Sequence, residues 1–387
     1  MMLIRFGCVL LLACGKVVEG AAADAAQMPV TDAGGPRDAV AICGDGHRDP
    51  GEVCFGAPIT ITGKDLVYDA HLADIDGDGD LDLVYLIGNQ LVFHLQDRGQ
   101  FAAAGLDGPT VTGTHAMALK LNTSAAAALV VAGTPALNAY VRTDQGAYTQ
   151  VATIATASDS TALAAGKITG GALPDIATIY GSAIHVARFD ANLSLVEVSS
   201  TAISGADDLA VGELTGDTFA DVVVAGRPGV MLLRGGVSGL GAINDTPQTE
   251  PTDAVALGDI DGDHKLDIAF VVAGTPGQLG AMVAVGGGGF LAPTLIAVDS
   301  ISHTLETTDL DGDGHADVIA VRKQTGNFAV LVSLGRADGT LAAPVVLPVP
   351  IAPDYLRVDA DFNGDGINDI VITDTHRQMV IILPSSP

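Results

Sequence analysis

The sequence predicts an all-β fold, a seven-bladed β-propeller of four-stranded blades, on three observations. First, an acidic nonapeptide recurs: DIDGDGDLD from Asp74, DIDGDHKLD from Asp259, DLDGDGHAD from Asp309 and DFNGDGIND from Asp361. Each copy runs directly into an apolar, β-branched stretch (LVY, IAF, VIA, IVI), the sign of a loop feeding a strand. Second, the gap between Asp74 and Asp259 divides into four periods of about 46 residues, and degenerate copies stand where that period puts them. They are KLNTSAAAA from Lys120, KITGGALPD from Lys167 and ELTGDTFAD from Glu213. Third, no helical period of adequate length follows residue 58, while glycine and turn residues are plentiful.

The chain begins MMLIRFGCVLLLACGK: one positive charge at Arg5, then an apolar run of about ten residues, too short to span a bilayer. Residues 1–13 therefore read as a signal peptide. Leu11-Leu12-Ala13-Cys14 resembles the bacterial lipobox, which implies lipidation at Cys14, with ordinary secretion as the alternative. Gly15 stands where the inner-membrane retention signal would carry Asp, which points to the outer membrane. Residues 14–42 are rich in Ala, Gly, Asp and Pro and show no apolar period. They read as a flexible tether with a span of about 30 Å.

Of the four cysteines, Cys8 falls in the signal segment and Cys14 takes the lipid, which leaves Cys43 and Cys54 as a pair in an exported chain. The segment CGDGHRDPGEVC, 43–54, resembles the cysteine-rich repeat of myxobacterial secreted proteins. Two cysteines and His47 are too few soft ligands for zinc, so a structural disulfide is expected.

Residues 55–387 hold the seven repeats. Position two reads Ile75, Leu121, Ile168, Leu214, Ile260, Leu310 and Phe362, and position ten reads Leu83, Leu129, Ile176, Val222, Ile268, Val318 and Ile370. Both are apolar in every repeat, so the unit persists where its acids have gone. In the first unit HLADI precedes the acidic loop, LDLVYLI follows it, QLVFHLQ comes after a turn at Gly88-Asn89, and PTVTG closes. The last unit offers only three strands (YLRVDAD, DIVITD, MVIILP), whereas PITIT, 58–62, is surplus at the start. It follows Phe55-Gly-Ala-Pro58, and similar text introduces fourth strands at Phe290-Leu-Ala-Pro293 and Leu341-Ala-Ala-Pro344. Strand 58–62 is therefore expected to complete the seventh blade and remove the exposed edges of an open sheet.

The loops D-x-[DN]-G-D-x-x-x-D and the F-x-A-P turns resemble the FG-GAP/VCBS repeats of integrin α-subunit propellers and bacterial surface proteins. The resemblance covers about residues 55–387. It implies calcium bound by side chains at positions one, three, five and nine and by the backbone carbonyl at seven. About four Ca²⁺ ions are expected. The ligands would be Asp74, Asp76, Asp78 and Asp82 with the carbonyl of Asp80; Asp259, Asp261, Asp263 and Asp267 with that of Lys265; Asp309, Asp311, Asp313 and Asp317 with that of His315; and Asp361, Asn363, Asp365 and Asp369 with that of Ile367. Glu213, Thr215, Asp217 and Asp221 form a weaker candidate. In the third repeat, Lys167 is expected to replace the cation and pair with Asp175. An EF-hand is excluded because its twelfth position would be Glu and is here Tyr85, Phe270, Ala320 or Ile372. Magnesium fits less well, since it demands tight octahedral geometry and keeps its waters.

The 387 residues are 48% apolar and carry a net charge of −28, which supports a sizeable core and opposes binding to nucleic acid or an anionic lipid surface. Contact with a membrane would run through the lipid anchor only. No His-x-x-x-His pair, nucleophile elbow or phosphate-binding loop appears, and Gly286–Gly289 reads as a hairpin. By the resemblance, a protein or glycan ligand would dock on the face opposite the calcium loops. That face would carry Asp159, Asp207, Asp208, Asp253, His303 and Asp354, with Arg227, Arg322, Lys323 and Arg377 from the turns between second and third strands. The expectation is a non-catalytic binding or adhesion module; a polysaccharide lyase or hydrolase, or an envelope scaffold, are the alternatives.

Overall fold

The computed structural model describes residues 50–387 except 122–125, 191, 228, 249, 273, 275, 300, 325 and 387, without the side chains of 245 and 359, and the backbone of 14–16. Cys43 lies outside these residues, and with it the expected bridge to Cys54; so do the side chain of Cys14 and nearly all of the signal segment and tether.

The described residues form seven four-stranded antiparallel sheets and no helix. The inner strands, in chain order, are Val67–Ala73, His115–Leu119, Ser160–Gly166, Ala206–Gly212, Thr252–Gly258, Leu305–Thr308 and Tyr355–Ala360. Each packs against the next, and the seventh packs against the first, so the blades close a ring. Second strands such as Asp82–Ile87, Asp221–Gly226 and Asp369–Asp374 are buried along their whole length, which is why they read as continuous apolar runs and not as alternating ones.

Closure follows the expected route. Ile59–Thr62 pairs with Met379–Leu383, in register Ile59↔Ile382 to Thr62↔Met379, and makes the outer strand of the seventh blade. Because its two ends lie in one sheet, the ring is held by backbone hydrogen bonds as well as by packing. The turns after Pro293 and Pro344 likewise lead into outer strands, Thr294–Val298 and Val345–Pro348. In the first blade the outer strand is Leu106–Thr110 and not the expected PTVTG; a short hairpin, Gln96–Asp97 with Gln100–Phe101, brings the chain back to the sheet earlier. Gly286–Gly289 does form a hairpin, between Ala284–Gly286 and Gly289–Phe290.

Positions two and ten of the repeat are buried in all seven blades, none more exposed than Phe362 at 8%. They fill the cores between neighbouring blades. One such core, between the sixth and seventh blades, also takes in Val53 and Phe55 from the segment ahead of the propeller.

Candidate functional site

Every acidic nonapeptide connects an inner strand to the second strand of its blade, so all lie on one face of the ring. Within each, aspartates cap the loop's own amides two or three residues ahead, as in Asp76 Oδ1 accepting from Asp78 N (3.2 Å) and Asp78 Oδ1 from Asp80 N (2.9 Å). Glycines make this winding possible: Gly77, Gly262, Gly312 and Gly364 all have positive φ. At Gly262 a side chain would also meet the His315 ring of the next blade, 2.8 Å from Nδ1.

Three loops draw carboxylate oxygens within 4.8 Å of one another: Asp74, Asp76 and Asp78; Asp259, Asp261 and Asp263; and Asp309, Asp311 and Asp317. Oxygen-only donors at this spacing suit a hard cation. Asp259 Oδ1 is buried with no hydrogen-bond partner, a lone pair that a metal would satisfy. Burial, then the charge of Asp311, pushes Asp317 up to about 8, and burial, with Asp261 adding, pushes Asp267 up to about 6. Crowded carboxylates of this kind disfavour one another's ionised form until a counter-charge arrives. In the seventh loop Asn363 takes position three; Asp361 accepts from Gly364 N (2.6 Å) and Gly366 N (2.8 Å), and the Ile367 carbonyl accepts from the Ser385 hydroxyl (3.1 Å). Lys265 and Asp263 form an ion pair at the fifth loop, and Asp80 Oδ2 accepts from Arg98 N (3.1 Å).

The ninth aspartate has a second role that its place in the motif does not reveal. Asp82, Asp221, Asp267, Asp317 and Asp369 are at most 1% exposed. Each accepts one amide from position two of its loop and one from the chain leaving the third strand. For Asp82 the donors are Ile75 N and Gln96 N, both 2.8 Å; for Asp221 they are Leu214 N and Gly235 N, both 3.0 Å. This latch persists in the fourth blade, where Glu213, Asp217 and Asp221 do not converge as a three-acid group. Glu213 Oε1 instead accepts from Thr215 N (2.9 Å) and Asp217 N (3.2 Å). In the third blade the expected Lys167–Asp175 pair does not form. Lys167 is exposed, and Thr169 satisfies Asp175 through its amide (2.6 Å) and hydroxyl (3.1 Å), which leaves no need for a buried cation.

On the opposite face the inner strands line an axial cavity of about 1290 Å³. Its lining includes Asp159, Asp207, Asp208, Asp253, His303, Asp354, Arg227 and Lys323, which come from well-separated parts of the chain. Lys323 pairs with Asp354, and His303 Nδ1 lies 3.3 Å from Asp253. Burial raises Asp208 to about 6 against the pull of the Val255 and Leu209 amides. Arg322 and Arg377 do not join this group. Arg322 turns into its own hairpin, donating to the Asn327 carbonyl (3.0 Å) and Oδ1 (2.7 Å), and Arg377 donates to the Pro350 carbonyl (2.5 Å). Asp354, Asp374 and His376 also converge within 4.8 Å, but Lys323 already neutralises Asp354, and Asp374 accepts from Ala352 N (2.9 Å).

Deeper in the cavity wall is a polar knot absent from the motif. Asp69, fully buried, accepts from Arg357 Nη2 (3.2 Å) and Ala116 N (3.2 Å), and Arg357 Nη1 lies 3.4 Å from Glu306 Oε1. His71 Nε2 is 2.7 Å from the Ala116 carbonyl. These residues occupy four consecutive blades, and nothing in the local sequence pattern marks them.

No curated protein matches the sequence. Two solved structures share the architecture: BBS1N in complex with ARL6DN, with 14% identity, TM-score 0.58 and coverage of 85% of this chain and 96% of the other; and an Agrocybe aegerita lectin that recognises non-reducing terminal N-acetylglucosamine, with 15% identity, TM-score 0.54 and coverage of 83% and 86%. At such identities the likeness concerns the fold. Residues 309–372, from the sixth acidic loop through that of the seventh blade, match the FG-GAP-like repeat family, and the described residues fold as a seven-bladed β-propeller.

Proposed function

We propose that the protein is a calcium-stabilised, surface-tethered propeller that acts as a non-catalytic binding module, with a protein or glycan docking on the face opposite the acidic loops. The observation that carries this reading is the axial cavity, which gathers acids and bases from separate blades at one mouth. A mixed rim of this kind supplies orienting polar contacts around a concave surface. Asp74, Asp259, Asp309 and Asp361 would head the four calcium loops, the metal supplying the counter-charge that their carboxylates lack. Cys14 would carry the lipid anchor at the outer membrane. Binding by the full-length chain to a glycan array and to native envelope extract tests the reading when run beside Asp253→Lys and Lys323→Glu. Ligand capture that both rim variants abolish supports it; capture indifferent to both overturns the placement of the site.

A further inference from the structure

The sixth acidic loop differs from the first and fifth in the burial of its position-three acid. Asp311 is 1% exposed, whereas its counterparts Asp76 and Asp261 are half-buried. The cover is the segment immediately before the propeller. Gly51 N donates to Asp311 Oδ2 at 2.6 Å, on the oxygen that the loop's own amide does not use; Asp313 N takes Oδ1 at 3.2 Å. Val53 (1% exposed) and Phe55 (5%) are sunk in the core that contains Leu310 of the same loop and Leu383 of the last strand. The chain end fastens the segment from the other side, with Ser386 N on the Cys54 carbonyl (3.1 Å) and Gly56 N on the Pro384 carbonyl (2.7 Å).

Covering this loop takes charge out of water. Oxygens of Asp309, Asp311 and Asp317 lie within 4.8 Å of one another, and two of the three residues are buried. Enclosing converging carboxylates is costly unless a cation is enclosed with them. The apolar side chains of Val53 and Phe55 favour docking, while bare carboxylates beneath the segment oppose it.

We infer that residues 51–56 are a lid on the sixth loop: the segment docks over a cation held by Asp309, Asp311 and Asp317 and loosens when that cation leaves. The inference rests on the calcium reading above and adds that one of the metal sites is enclosed and coupled to the start of the domain. Coupling is reciprocal, so docking tightens the metal by the same factor by which the metal tightens docking. The position-three acids of the first and fifth loops take their amide hydrogen bonds from their own loops, Asp78 N and Asp263 N, and the outside contact at Asp76 is Arg142 on its backbone carbonyl; metals at those loops would stay open to solvent.

Hydrogen exchange on the full chain, read by peptide mass spectrometry in millimolar calcium chloride and in EDTA, tests this. EDTA is expected to speed exchange across 51–56 by about 5–150-fold, the usual span of such couplings, relative to segment 129–132 in the second strand of the second blade. Asp309→Asn in calcium should reproduce that increase at 51–56, and Asp74→Asn, in the first loop, should not. Protection of the first and fifth loops by calcium with 51–56 unchanged overturns the lid and leaves the calcium reading intact; no protection at any loop overturns both. An equal response of 51–56 to the two variants overturns the lid, since the segment would then report only general stability. The wild-type comparison decides the matter even where Asp309→Asn fails to fold.

Discussion

Arg357 Nη2 lies 3.2 Å from Asp69 Oδ2 and ties the inner strand of the seventh blade to that of the first across the ring closure. The pair is nearly enclosed, with 21% exposure for the Arg357 side chain and 0% for Asp69. Removing Asp69 leaves Arg357 with Glu306 as a charged partner (3.4 Å) and takes the acceptor from the Ala116 amide, so Asp69→Ala is expected to cost about 1–3 kcal/mol in denaturant titration. Burial alone would raise the Asp69 pKa, but Arg357 and then His71 outweigh it and hold the carboxyl well below the usual range. A depressed folded value stabilises above the unfolded pKa of about 3.9 and is lost as pH falls further. The gap between wild type and Asp69→Ala should therefore narrow as pH falls below about 4.

Asp208 has the opposite sign. Its folded pKa of about 6 stands above the ordinary value of 3.8, because burial outweighs the amides of Val255 and Leu209 and the more distant Arg357. The folded state holds its proton more tightly than the unfolded chain does, so this group's contribution to stability declines as pH rises from about 4 to about 6 and then stays flat. Asp208→Asn keeps an acceptor for Val255 N without the charge. The variant should gain about 1 kcal/mol at neutral pH, with the gain vanishing below about pH 4. Melting curves across that range check it; a gain that persists in acid would mean that charge is not the cause.

The pattern that repeats in sequence was the pattern that could be read. Positions two and ten are apolar in seven repeats because each lies in a core between blades, and a surplus strand at 58–62 beside a blade short of one implied the closure that Ile59–Thr62 makes with Met379–Leu383. Contacts that occur once leave no period. Asp69 and Arg357 are 288 positions apart and belong to no motif, so their pairing needed the ring to be built first. The ninth aspartate suggested a metal ligand in the sequence, but its role as a latch was not legible, because its amide donors, Gln96 in one blade and Gly235 in another, share no side-chain identity. Lys167 misled for a related reason: its charge suggested a substitute cation, whereas the short hydroxyl of Thr169 was nearer to Asp175.

The latch makes a prediction in the fourth blade, where the metal reading is weakest. Asp221→Ala leaves the amides of Leu214 and Gly235 without their acceptor inside the protein. At about 1–3 kcal/mol for each buried unsatisfied group, the loss should be about 2–6 kcal/mol, the same in calcium as in EDTA. Asp217, which is exposed and caps only the Phe219 amide (3.0 Å), should cost about 0.5 kcal/mol or less on replacement by Ala. Urea titrations of the two variants in both buffers separate the latch from the metal; a loss at Asp221 that appears only in calcium would assign that residue to a cation site.

Calcium removal tests the other four loops together. Extracellular modules bind calcium with Kd of roughly 10⁻⁴ to 10⁻³ M, so at about 1 mM free ion each site adds on the order of 0.4–1.4 kcal/mol by mass action. Four sites give about 2–6 kcal/mol, a large share of a typical folding stability of about 5–15 kcal/mol. At about 2 °C per kcal/mol for a chain of this size, EDTA should lower the melting temperature by roughly 4–12 °C, and added calcium should restore it. Magnesium at the same concentration should restore much less, because Mg²⁺ demands near-ideal octahedral geometry and gives up its waters reluctantly. A melting curve indifferent to EDTA would remove the metal from the account of stability and leave the amide latches and the Asp69–Arg357 knot to hold the blades together.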